Sequence, residues 1–151
     1  MGETTKITVE SSNTLENIIK VAFATKDMER INAHFGGAKE FIVYKVSPDG
    51  YEVDGVIKTD TTAMSGDAKT EFKVEALKGI NMMYCESIGG TAAAKVIRAG
   101  MNPMKVQEPR KIEDVLKELV VMINNNPPPW IRRIMNIEIT EDPRLARWDA
   151  E

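Results

Sequence analysis

"IIKVAFAT" (Ile18–Thr25) is apolar and rich in β-branched residues, with Lys20 its one charge. A nearly continuous apolar run of this length, lacking polar alternation, reads as a central strand buried on both faces. A strand of that kind needs a covering layer on each side, which points to a sheet between helices.

The segments that follow agree. "EFIVYKV" (Glu40–Val46), the turn "SPDG" (Ser47–Gly50) and "YEVDGVIK" (Tyr51–Lys58) make an antiparallel hairpin, because Pro presets φ and Gly accepts a positive one. A polar loop over Thr59–Ala68 leads into "KTEFKVEALKG" (Lys69–Gly79), expected to be a helix with Phe72, Ala76 and Leu77 on its apolar face and Gly79 as its stop. "INMMYCES" (Ile80–Ser87) is a short buried strand, "GGTAAAKVIRAG" (Gly89–Gly100) a helix opened by glycines, and "PMKV" (Pro103–Val106) a last strand. In "KIEDVLKELVVMIN" (Lys111–Asn124), Ile112, Val115, Leu116, Leu119, Val120 and Ile123 form one helical stripe, which "NNNPPPW" (Asn124–Trp130) ends. The predicted order, β-β-β-α-β-α-β-α, is an α/β fold with a mixed sheet flanked by helices, the layout of ribonuclease H-like folds. Residues 18–135 are expected to form one domain between a flexible segment, 1–17, and a charged flexible tail, 136–151.

Composition narrows the function. A net charge of -3 argues against nucleic-acid binding, which wants a basic excess. The single cysteine, Cys85, excludes an internal disulfide and suits a reducing compartment. No apolar run is long enough to span a bilayer, and the first residues lack the apolar core of a secretory signal, so a cytoplasmic protein is expected. The scattered methionines read as core gap-fillers.

Candidate site residues gather after two strands. The loop beyond Thr25 carries Lys26, Arg30, Asn32 and the only histidine, His34, followed by Phe35, Gly36 and Gly37. The strand ending at Cys85 leads through Ser87 to Gly89 and Gly90, which open a helix. If the two strands are parallel neighbours, both loops leave the sheet at the same edge, where α/β proteins bind ligands. His34 and Cys85 could then face one cavity, the place of Cys85 at the strand's end favouring exposure over a mid-strand position. A helix opening on bare glycines favours an anion; the same spacing also suits a turn that holds nothing. Likewise Cys85 can be a small buried hydrophobe, and His34 can bond only backbone. One His and one Cys cannot close a structural zinc site, but they can hold an iron–sulfur species carrying most of its own ligands. "IIKVAFAT" carries no carboxylate, which argues against a two-metal nuclease.

"KVAFATKDMERINAHFGGAKEFIVYKV", "SIGGTAAAKVIRAGMNPMKV" and "NNNPPPWIRR" together resemble the NifX family of nitrogenase cofactor assembly, whose domain is shared with NafY and the C-terminal part of NifB. The resemblance covers about Ile18 to Met135 and departs at Thr91, where proline is expected. It implies a non-catalytic carrier that binds iron–sulfur precursors of the iron–molybdenum cofactor (NifB-co, the VK-cluster) and exchanges them with the NifEN scaffold, with NifB a further partner. It implies His34 as the cluster ligand and, less directly, Cys85. Lys26, Arg30, Lys95 and Arg98 would complement the cargo's negative charge. A monomer is expected. The competing readings are an adaptor that docks the assembly complex with empty loops, and a hydrolase on the same fold.

Overall fold

A computed structural model describes residues 17–61 and 63–135. The expected flexible ends, 1–17 and 136–151, fall almost wholly outside them. The elements are β1 (Ile19–Ala24), β2 (Arg30–Ile31), β3 (Glu40–Ser47), β4 (Gly50–Lys58), α1 (Gly66–Ala76), β5 (Met82–Cys85), α2 (Gly90–Arg98), β6 (Asn102–Lys105), β7 (Arg110–Lys111), α3 (Ile112–Asn125) and α4 (Pro129–Met135).

Five strands form one mixed sheet in the order β4-β3-β1-β5-β6, and β2 and β7 pair as a separate ribbon. β1 is central, as its apolar run dictates. It pairs antiparallel with β3, Ile19 opposite Val46, and parallel with β5, Val21 opposite Met82. Its alternate side chains feed two cores. Ile19, Val21 and Phe23 join Met82 and the α3 stripe of Ile112, Val115, Leu116, Leu119 and Ile123. Ala22 and Ala24 face the other way, toward Phe41, Met83, Leu77 and Val96.

The prolines stop α3 at Asn125, and Pro129 opens α4. Ile131 and Met135 are buried and Trp130 packs against the same core, so this segment closes the domain's α3 side. The methionines at 82, 83, 101 and 135 are buried, as expected of gap-fillers.

One helix face is corrected. Phe72 of α1 is 43% exposed, and the inward residues are Lys73 and Leu77. The face that carries Leu77 runs back through 73 and 69 at helical spacing, which turns Phe72 outward.

Candidate functional site

The parallel pairing of β1 and β5 brings their loops together at one end of the sheet. Residues 25–38 after β1 are held in two ways. In the first part the Asp27 carboxylate accepts the backbone N–H of Glu29 at 2.9 Å and of Arg30 at 3.0 Å. Thr25 Oγ1 and Asn32 Nδ2 also donate to it, at 3.2 and 3.3 Å. These backbone N–H groups hold Asp27 below the usual carboxylate range. Met28, with φ 66°, makes the tight bend the cage encloses. Asn32 Oδ1 accepts from Lys26 N at 2.8 Å, so the Asn32 side chain is spent within the loop. Arg30 pairs with Lys111 in the β2–β7 ribbon and lines a separate cleft of about 790 Å³ with Tyr84, Lys105, Arg110 and Asp114.

The second part is anchored by its own side chains and backbone. Ala33, Phe35 and Ala38 are buried. Glu86 N donates to Ala33 O and Phe35 N to Ser87 O, each at 2.9 Å. His34 lies between these two rungs with its side chain exposed, and its Nδ1 is hydrogen-bonded to Ser87 Oγ. The loop is therefore fixed, despite the two glycines that follow His34 and Phe35. With Nδ1 engaged by the hydroxyl, Nε2 is the nitrogen left for a ligand.

Two predicted site residues belong to the core. Phe35 is 1% exposed and packs on Phe41 at 6.0 Å between ring centroids. Cys85, which the sequence left open between cluster ligand and small buried hydrophobe, is 0% exposed among Ala33, Met83 and Val96, and burial pushes its thiol up to about 11. The β1 loop folds back over the strand end, so position alone did not bring the thiol to the surface. Among the described residues no three His, Cys, Asp or Glu side chains are grouped to hold a metal ion.

The glycines leave space. A Cβ built at Gly37, Gly89 or Gly90 meets nothing within 4 Å, so packing does not demand glycine there. Gly89, the N-cap of α2, gives no side-chain cap, and the first turn of that helix, with Thr91 exposed, has no acidic residue. The N–H groups there are bare beside Ser87. Lys95 is taken up by Glu71 at 3.2 Å and Asp67 at 3.6 Å, while Arg98 lies in a groove between α1 and α2.

Sequence reasoning missed Lys73. It is 0% exposed and donates to Ala38 O, to Thr59 O at 3.0 Å and to Thr59 Oγ1 at 3.2 Å. Burial first, then the charge of Lys69, lowers it to about 8. The signal was Leu77, whose helical face includes position 73.

Comparison with known proteins adds the family. The model of the dinitrogenase iron-molybdenum cofactor family (Nitro_FeMo-Co) matches residues 17–121. NifX of Sinorhizobium fredii is 39% identical over 124 residues, 78% of each chain. The FeMo cofactor biosynthesis protein NifB of the same organism is 38% identical over 97 residues, 62% of this chain and 20% of that one. The crystal structure of PH0822 superposes with a TM-score of 0.55 at 19% identity, over 68% of this chain and 91% of that one, a likeness of fold.

Proposed function

The chain belongs to the NifX family of dinitrogenase iron-molybdenum cofactor proteins, and from that membership we propose that it serves FeMo-cofactor biosynthesis as a non-catalytic carrier. It binds iron–sulfur precursors (NifB-co, the VK-cluster) and exchanges them with NifEN in the cytoplasm. The sheet order, three antiparallel strands followed by two parallel ones, supports a ribonuclease H-like reading of the fold.

One observation carries the proposal: the only histidine stands exposed on an anchored loop, its Nδ1 held by Ser87, next to the bare glycine N-terminus of α2. An imidazole fixed through Nδ1 offers Nε2 to iron without reorganisation. Backbone N–H groups complement the negative charge of the cargo. Phe35 and Asn32 act through the loop's shape, and Gly36, Gly37, Gly89 and Gly90 through the room they leave. Cys85 packs the core. A single protein ligand suits a carrier, which has to give its cargo up.

The test is anaerobic mixing with isolated NifB-co, desalting, and measurement of retained iron and visible absorbance for the native protein and His34→Ala. Retention by the first and loss of most of the iron from the second is the expected result. Retention by neither leaves the adaptor reading in its place.

A further inference from the structure

Helix α1 forms a second wall beside the His34 loop. Lys69 and Lys73 stand four residues apart on one helical face, and that face meets the loop. Lys73 uses its ammonium N–H groups on Ala38 and Thr59, which fixes α1 against the loop's end. Lys69, one turn earlier, reaches the loop's turn. A Cβ built on Gly36 would stand 3.9 Å from Lys69 Nζ, so this half-buried ammonium lies over the backbone two residues from His34.

Among the described residues no carboxylate lies within ion-pair distance of Lys69. Lys95 is paired with Asp67 and Glu71, and Lys20 and Lys45 with Asp54; what sets Lys69 apart from other lysines without an ion pair, such as Lys26 and Lys39, is its position over Gly36. Lys69 and Lys73 set like charges one turn apart, a repulsion that Asp60 opposes at Lys73. An anion seated over Gly36 and His34 would relieve that repulsion and accept the free N–H groups of Lys69.

We propose that Lys69 is an anion-contacting residue of the His34 site, donating to the sulfide face of a negatively charged metal–sulfur cluster. The inference rests on the carrier reading and adds a residue the family resemblance did not supply. It also ranks the cations. Lys69 is engaged, whereas Lys95 is spent on α1 and Arg30 belongs to a different cleft.

The experiment titrates the intact protein with isolated NifB-co at low and high salt, for the native chain, Lys69→Gln, Lys69→Arg, Lys95→Gln and His34→Ala. Thermal melts confirm that each is folded. Loss of one charge-assisted bond predicts about tenfold weaker retention for Lys69→Gln at low salt. The deficit should narrow at high salt, and Lys69→Arg and Lys95→Gln should hold the cluster like the native protein. If His34→Ala loses the cluster while Lys69→Gln matches the native chain, Lys69 is not a contact and the carrier reading stands. If Lys69→Gln weakens retention and His34→Ala does not, the lysine contact is supported and the histidine ligand is lost. Full retention by both variants overturns both.

Discussion

The segment after β1 is built by two different kinds of physics along its length. From Thr25 to Asn32 it is bent by a polar cage, closed by the Asp27 carboxylate on exposed backbone N–H groups, with Ile31 entering the core. From Ala33 to Ala38 it is a piece of core turned inside out: Ala33, Phe35 and Ala38 go in, and His34 comes out. The difference teaches how a single side chain is presented rigidly. The polar part sets the bend, and the buried part sets the aim of the imidazole.

Breaking the buried part should have the largest effect. Phe35→Ala removes a fully buried ring and should cost about 3–5 kcal/mol in urea unfolding, with cluster retention lost as His34 loses its support. Lys73→Met keeps the volume but leaves Thr59 O without a donor and Ala38 O with only the Thr59 hydroxyl, for about 1–3 kcal/mol. The pH dependence distinguishes that loss from ordinary packing. Lys73 titrates near 8 when folded, below the ordinary 10.5, so between those values the unfolded chain holds a proton that the folded chain has released. Native stability should therefore rise with pH across that window, and the rise should be missing from Lys73→Met.

Cys85→Ala sharpens the comparison from the neighbouring strand. It should cost about 1 kcal/mol and leave cluster retention unchanged, while the native thiol reacts with a disulfide reagent only as the protein opens. Unchanged stability together with lost retention would make Cys85 a ligand after all. The smallest effect is expected from Asp27→Ala, in the polar part. Asp27 is depressed when folded, so its contribution is present above the ordinary 3.8 and lost as pH falls through the lower folded value. The variant should melt slightly below the native protein at neutral pH and merge with it in acid.

The sequence made β1, the hairpin and α3 readable because each follows a simple period: a continuous apolar run, a Pro-Gly turn between strands, and a stripe at helical spacing. It also made readable that the loops after β1 and β5 would be neighbours, since that needed only a parallel pairing. The polarity of individual residues misled where non-local partners decide. Lys73 is buried because carbonyls from residues 38 and 59 converge on it, and nothing in its own segment announces them. Cys85 is buried because the β1 loop returns over the strand end through the Glu86–Ala33 and Phe35–Ser87 rungs. The β2–β7 ribbon is two residues long on each side, too short for any periodic signal, yet it draws Arg30 away from His34.

The alternation of β1 reaches beyond the site. One strand supplies Ile19, Val21 and Phe23 to the core under α3 and α4, and Ala22 and Ala24 to the core under α1 and α2. Peeling away either helical layer would wet one face of a strand that the other layer still requires dry. The two halves of the described domain should then melt together. Disturbing one helical layer should therefore loosen the other through β1, a coupling that hydrogen exchange at the β1 amides would report.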